Sequence, residues 1–236
     1  EKISAAIGKL EIALKNFSKN IHKIEKYYDF SIRQTILNEA RDLKLVASNY
    51  HNRAYNNPKL LIYNLKNPMN KLAAKIQLEG GARIEGVALI KPEQLLGIKI
   101  DKVTQVEKGI IYTKEKGGKQ GEVLVSLKTY AELKNYLSLN SKFKINRQDY
   151  YNDIKQAAII SKEVSEGSHG LRWNFAKRRM FEYGKADYTY SDSLQQVSYE
   201  MKHNRASITE HYLGGWFLFS LKKFLYYKNI NLWFYK

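Results

Sequence analysis

Ser168-His169-Gly170-Leu171-Arg172-Trp173-Asn174-Phe175-Ala176 is the stretch of this sequence that bears most on the fold. At the start of a helix, His169 and Arg172 stand three positions apart and therefore point the same way. An imidazole that transfers protons beside a permanently charged guanidinium suits a phosphodiester. By itself the pair is more commonly explained by a surface histidine beside a solvated arginine, so other segments of the chain have to distinguish the two interpretations.

Downstream of this stretch, Met201-Lys202-His203 precedes Tyr212, which follows His203 by nine positions. A phenol, with a pKa of about 10, becomes a nucleophile only when cationic neighbours favour its deprotonated form. The chain holds 18 tyrosines. Any one of these tyrosines is therefore more often a core or surface residue than a nucleophile. This segment alone does not identify Tyr212 as catalytic.

Upstream, two further segments carry basic residues in special backbone settings. Arg83 follows Gly80-Gly81 at a predicted helix start, where its side chain and nearby backbone N–H groups can bind a phosphate. Lys116 lies in a predicted hairpin turn over residues 114–119. The alternatives are an arginine that reaches to solvent from an ordinary helix and a solvated loop lysine.

Taken in chain order, the four segments resemble the catalytic domain of the tyrosine recombinase (phage integrase) family. That family's T-G-L-R-[IV]-x-E, G-K-G-x-K, H-x-L-R-H-T-F-A and L-G-H-x(8)-Y patterns are similar to residues 81–89, 115–119, 169–176 and 201–212. The last two patterns are the specific ones. The resemblance covers roughly residues 60–213.

The resemblance implies a single basic cleft with six catalytic residues: Arg83, Lys116, His169, Arg172, His203 and Tyr212. Tyr212 would form a 3′-phosphotyrosyl link, the two arginines would hold the phosphate oxygens, and His203 would donate a hydrogen bond. His169 would assist the proton of the tyrosine, and Lys116 would protonate the leaving 5′ oxygen, with Lys119 as the second candidate. Neither a metal nor a cofactor is expected.

The sequence also departs from the family pattern. The acidic residue three places after the first arginine is replaced by Gly86, and the usual glycine before the second histidine is Lys202. The interval from Arg172 to His203 is longer than usual. The departures leave three hypotheses open: an active site-specific recombinase or integrase of a mobile element, a DNA-binding relative that no longer cleaves, and a type IB topoisomerase-like enzyme.

Charge and composition agree with a nucleic-acid partner. The formal net charge of the 236 residues is +17, and such a positive potential attracts polyanions. A lysine-rich proteome is the competing explanation. Cysteine is absent, which excludes disulfides and thiolate metal sites. Neither a secretory signal nor an apolar run of about 18 residues is visible, and we expect a cytoplasmic, nucleoid-associated protein.

The chain order of periodic segments predicts a mainly α fold with a small antiparallel β-sheet, that is, an α+β catalytic domain. Helices are predicted over 69–78 and 82–89, and β-strands over 98–103, 109–112 and 122–127.

Residues 58–213 form the predicted catalytic domain. It follows a helical, core-binding-like DNA-binding module over residues 1–57, and the first residue, which is not methionine, would fit an N-terminally truncated chain. Three alternatives are open for the aromatic tail, residues 214–236. It would pack on its own domain, dock on a neighbouring protomer or lie on a membrane surface, and the last is the least favoured. Double-stranded DNA is the expected partner, bound by a homo-tetramer on paired sites, with no small-molecule substrate.

Overall fold

The computed structural model of this protein describes Ala13 and residues 52–213. The chain divides into two compact units, Glu1–Tyr50 and His51–Lys236, and residues 52–213 belong to the second. Most of the predicted N-terminal module and all of the predicted tail lie outside the described residues. Within 52–213, no helix is long and apolar enough to cross a membrane.

Helices make up most of this unit, and a three-stranded antiparallel sheet interrupts them. The helices are α1 (Pro58–Asn64), α2 (Pro68–Gly80), α3 (Ile84–Val87), α4 (Leu127–Leu139), α5 (Arg147–Ile160), α6 (Gly167–Lys185), α7 (Tyr190–Glu200) and α8 (Ala206–Leu213). The strands are β1 (Leu89–Ile90), β2 (Leu95–Ile100), β3 (Glu107–Lys114), β4 (Gln120–Ser126) and β5 (Phe143–Lys144). The predicted mainly α fold with a small antiparallel sheet is confirmed.

Two Asn-Pro pairs start the first helices. The side chain of Asn57 accepts a hydrogen bond from the N–H of Leu60, and that of Asn67 accepts one from Met69. Each asparagine satisfies a backbone donor that the helix cannot, and the proline that follows is already fixed at a helical φ. Local sequence therefore sets where α1 and α2 begin.

The end of α2 matches the predicted stop at the glycine pair. Gly81 caps the helix in the left-handed region, with φ of 68°, where glycine carries no steric penalty. The helix predicted over residues 82–89 is shorter than expected and covers only Ile84–Val87. Arg83 is extended, and Leu89–Ile90 forms a short strand that pairs with Phe143–Lys144. This tertiary pairing ends the helix early.

The larger sheet has the order β2-β3-β4, and β3 and β4 form the predicted hairpin. They pair from Lys108 opposite Ser126 to Lys114 opposite Gln120. The first predicted strand is displaced, because it ends at Ile100 and not at Val103. The carboxylate of Asp101 accepts hydrogen bonds from the residues that follow it and turns the chain.

The core lies between the inner face of the hairpin and the helices. Ile111, Val123 and Val125 are buried there, in one apolar cluster with Ile76 of α2 and Leu133 of α4. The alternation of strand side chains puts these residues on the helix-facing side of the sheet. The sheet edge that carries the turn is thereby held against α2 and α3.

The segment just before α1 packs on the start of α6. The N–H of Tyr55 donates to Asn174 Oδ1 at 3.0 Å, and Asn174 Nδ2 donates back to the Tyr55 carbonyl at 2.7 Å. A Cβ on Gly170 would lie 2.6 Å from the Tyr55 ring, so only glycine permits this approach. Residues 52–57 therefore contact the unit that the sequence assigns to residues 58–213.

Candidate active site

Four separate parts of the chain bring five of the six predicted site residues to one place. Arg83 immediately precedes α3, His169 and Arg172 lie in the first turns of α6, His203 lies between α7 and α8, and Tyr212 lies near the end of α8. Their contacts with one another, described below, join them into one cluster although they span much of the sequence.

Arg83 and Arg172 meet at His203. Arg83 Nη2 lies 3.2 Å from His203 Nε2, and Arg172 Nη2 lies 3.5 Å from the same nitrogen. Arg172 is held in place by donating Nη1 to the Gly81 carbonyl at 2.5 Å and Nη2 to the Met201 carbonyl at 3.4 Å. The two arginines therefore lie on the same side of the domain, as the predicted cleft requires.

The two histidines are neutral near pH 7. Burial, followed by the charge of Arg172, lowers the pKa of His169 from 6.5 to about 4. Burial, followed by the charges of Arg83 and Arg172, lowers the pKa of His203 from 6.5 to about 4. A neutral imidazole keeps one nitrogen that accepts a proton and one that donates, so both chemical roles are available.

The tautomer of His203 follows from its neighbours. Guanidinium N–H groups only donate, so Nε2 is the acceptor and Nδ1 carries the hydrogen. This Nδ1 is buried and has no hydrogen-bond partner among the described residues.

Tyr212 lies among these groups and is only 4% exposed. Its ring centroid is 5.5 Å from that of His169, 6.1 Å from that of His203 and 5.3 Å from that of Trp173. Burial lowers the pKa of Arg172, and a hydrogen bond and charge interaction with Tyr212 oppose that effect. The phenol is thus adjacent both to a neutral imidazole and to a cation.

The hairpin turn carries the two candidate lysines. Lys116 begins a 3-10 turn that runs to Gly118, and its side chain lies outside the described atoms. Lys119 ends the turn, where its carbonyl accepts from the Glu115 N–H at 2.6 Å. The charge of Lys119 contributes to the lowered pKa of His203, which places Lys119 within electrostatic reach of the site.

A buried carboxylate completes the cluster. The side chain of Glu115 has no exposed surface, and its oxygens accept from Arg83 Nη1 at 2.7 Å and from Lys202 Nζ at 3.2 Å. Arg172 Nη1 lies 3.8 Å away. Burial alone would raise the pKa of Glu115, but Lys202 and Arg172 outweigh it and hold the pKa below its ordinary value. Glu115 is therefore ionised, and cations remain in excess around it.

The described unit is similar in structure to DNA recombinases. A XerH site-specific recombinase bound to a palindromic difH substrate, in a post-cleavage complex, aligns with a TM-score of 0.52 and 18% identity over 71% of this chain and 50% of that one. The same recombinase in a pre-cleavage complex gives 0.50 and 17%, over 71% and 51%. A lambda integrase dimer bound to a COC′ core site gives 0.52 and 14%, over 75% and 55%.

The chain has the tyrosine recombinase catalytic fold. It spans about half the length of these recombinase chains. No protein-family profile matches the sequence, and no curated protein matches it either.

On this tyrosine recombinase fold, sequence reasoning missed Glu115 and treated Lys202 only as a departure. The strand pattern before the turn does indicate that Glu115 is buried. Side chains of a strand alternate between faces, and Ile111, Thr113 and Glu115 are all buried. The pattern thus directs Glu115 inward, next to the hairpin lysine.

Proposed function

We propose that this protein is a site-specific DNA recombinase or integrase that cleaves and rejoins strands through a 3′-phosphotyrosyl intermediate on Tyr212. The observation that supports it most is the convergence of Arg83, Arg172 and His203 beside the Tyr212 phenol. The recombinase-like fold agrees with the proposal, and so does the net charge of +17.

Three groups would bind the scissile phosphate. Negative charge builds up on the non-bridging oxygens as the phosphorus becomes five-coordinate, and fixed cations lower the barrier most at that point. Arg83, with its side chain 22% exposed, and the deeper Arg172 would supply the cations. The Nδ1 hydrogen of His203 would add a donor.

Strand cleavage would need two proton transfers, one from the attacking tyrosine and one to the leaving 5′ oxygen. The phenolic oxygen of Tyr212 attacks phosphorus while its proton passes to neutral His169. The bond from phosphorus to the 5′ oxygen breaks, and that oxygen takes a proton from Lys116, or from Lys119 as the alternative. Rejoining reverses each step, and since the phosphotyrosyl ester preserves the diester's bond energy, no external energy source is needed.

The assembly is part of the same proposal. Double-stranded DNA would be the partner, and the lysines and arginines of residues 1–57 would bind it mostly through phosphates. Four protomers would join two duplexes, and the tail, residues 214–236, would dock on a neighbouring protomer. Such a protein would work in the cytoplasm, on the nucleoid.

Trapping the covalent intermediate tests the proposal. A duplex selected from a random library for binding is nicked near the cleavage point, so that the short product diffuses away and the adduct accumulates. Wild type and a Tyr199→Phe control, changed at a tyrosine that is 55% exposed, should both form an adduct on a denaturing gel. Tyr212→Phe should form none.

The other outcomes distinguish the remaining hypotheses. An adduct that persists in Tyr212→Phe refutes the nucleophile. A wild-type protein that binds the duplex and forms no adduct supports a DNA-binding relative that does not cleave. Relaxation of supercoiled plasmid without sequence preference would indicate a topoisomerase-like enzyme.

A further inference from the structure

The carboxylate of Glu115 occupies the space that a side chain at position 86 would take. A Cβ built on Gly86 would lie 2.8 Å from Glu115 Cγ, 3.4 Å from Glu115 Oε1 and 3.1 Å from Thr113 Cβ. Position 86 lies in α3, and its φ is outside the left-handed region. The backbone there accepts any L residue, so a side chain at position 86 is excluded mainly by Glu115, with Thr113 as the second close contact.

Lys202 reaches the same carboxylate from a strained backbone position. Its φ is +60°, a conformation that costs a residue with a Cβ about 1–2 kcal/mol and that glycine adopts freely. The side chain is nevertheless buried, 6% exposed, with Nζ 3.2 Å from Glu115 Oε1. Burial lowers the pKa of Lys202, and Glu115 opposes this. A glycine would relieve the backbone, so the side chain has to contribute something else.

The two positions at which the sequence departs from the recombinase pattern therefore meet at one carboxylate. Glu115 fixes Arg83 through both the backbone N–H, at 3.1 Å, and Nη1, at 2.7 Å. Arg83 Nη2 is thereby directed at His203. Lys202 Nζ donates to Oε1, the oxygen that also accepts from the Arg83 N–H, and Arg172 Nη1 stays at 3.8 Å from Oε2.

We propose that Glu115 and Lys202 are a positioning pair, in which a carboxylate from the hairpin fixes Arg83 and a lysine from the loop before α8 keeps Arg172 from being drawn into that ion pair. This inference rests on the proposed strand cleavage. It predicts that the carboxylate can be supplied from either position 115 or position 86, because both lead to the same space.

Relocating the carboxylate is the decisive experiment. The variants are Glu115→Ala, Glu115→Ala with Gly86→Glu, and the control Glu85→Gln, whose side chain is 31% exposed and lies 3.8 Å from Arg147. Single-turnover adduct formation on the nicked duplex is measured with urea unfolding of the same proteins. Glu115→Ala should slow cleavage about 100-fold, the effect of displacing a reacting group by about 1 Å. The control should match wild type.

The variant that combines Glu115→Ala with Gly86→Glu should cleave at least about tenfold faster than Glu115→Ala. A role of Glu115 in folding alone would be seen as a loss of urea stability that tracks the loss of rate. Recovery of rate from position 86 would not follow from such a role. A folded relocated variant that cleaves no faster than Glu115→Ala refutes the shared space, and a Glu115→Ala variant that cleaves like wild type refutes the positioning role.

The variant Lys202→Gly distinguishes a loss of positioning from a loss of stability. Glycine removes the strain at φ +60°, which offsets part of the cost of losing the buried lysine, so Lys202→Gly should resist urea better than Lys202→Ala, which keeps the strain. The cleavage rate of Lys202→Gly should nevertheless fall about tenfold, because Arg172 shifts toward Glu115. An unchanged rate refutes the role of the lysine.

Failure of the strand-cleavage proposal can be distinguished from failure of the positioning pair. If wild type binds its duplex but forms no adduct, the strand-cleavage proposal fails and the positioning role fails with it. If wild type cleaves and the variants cleave equally fast, only the positioning role fails.

Discussion

Replacing Arg179 by methionine removes the cation that joins three elements behind the candidate site. Its guanidinium donates to both oxygens of Asp101, after β2, at 2.7 and 2.9 Å, and to Glu200, at the end of α7, at 2.7–3.0 Å. It also bonds Glu182 on its own helix at 2.9 Å. Arg179 lies two turns after Arg172 on α6, so this network fixes the frame that carries the site.

The cost of the change follows from the buried carboxylate left behind. Asp101 is 3% exposed. Burial opposes its ionisation, but hydrogen bonds from Arg179 and Thr104 lower its pKa from 3.8 to about 2. At about 1.4 kcal/mol per pKa unit, this contributes about 2–3 kcal/mol of stability, present above pH 3.8 and lost as the pH falls toward 2. Removing one partner of a buried ion pair costs about 3–5 kcal/mol, and we expect Arg179→Met to lose about 3–4 kcal/mol at pH 7.

Urea unfolding of the full chain, followed by tryptophan fluorescence, measures this loss. The matched control is Arg147→Met. Its side chain is 57% exposed and lies 3.8 Å from Glu85, so it should lose about 1 kcal/mol or less. Adding Asp101→Asn to Arg179→Met should recover part of the loss, because the stranded charge is then gone. Equal losses for the two methionine variants, or no recovery, would refute the buried-network argument.

Two further predictions concern the site and its support. Adduct formation by Tyr212 should stay level from pH 8 to about 5 and fall as the pH approaches 4, because His169, with its pKa lowered to about 4, keeps its proton-accepting form until then; a midpoint near 6.5 in single-turnover cleavage would contradict this. Gly81→Ala should destabilise the protein by about 2 kcal/mol more in urea than Gly97→Ala, since both have positive φ but only at Gly81 would the Cβ meet an aromatic ring, at 2.4 Å; equal losses would show that this packing does not matter.

Features that depend on a few neighbouring residues could be predicted from the sequence. The glycine pair at 80–81 ends α2 because the left-handed cap is a local property. The hairpin turn over residues 114–119 is local too. The spacing of His169 and Arg172 is a helical repeat, which fixes their common face before any tertiary contact is known. Each of these predictions needs only the conformations that adjacent residues allow.

Features that depend on distant segments could not be predicted in the same way. The strand at Leu89–Ile90 exists only because Phe143–Lys144 lies beside it. Two residues are too few for a strand pattern, so neither dipeptide predicts the pairing. Considered at their own positions alone, Gly86 and Lys202 are departures from the family pattern. In the folded chain both are explained by Glu115, which lies on another element. A substitution at one position of a packed site is interpretable only with the neighbours that fill the same space.

The electrostatics of the cluster indicate what the arrangement is for. One carboxylate, Glu115, faces Arg83, Arg172 and Lys202 within 4 Å, and like charges held this close repel one another in a poorly solvated site. Arg172 Nε and His203 Nδ1 are also buried without a partner in the part of the chain that the structure describes, at a cost of about 1–3 kcal/mol each. Selection for stability alone would remove both penalties, whereas a bound anion would offset the repulsion among the cations. The same imbalance that weakens the fold therefore favours an anion, and variants that stabilise this cluster should be the ones that cleave more slowly.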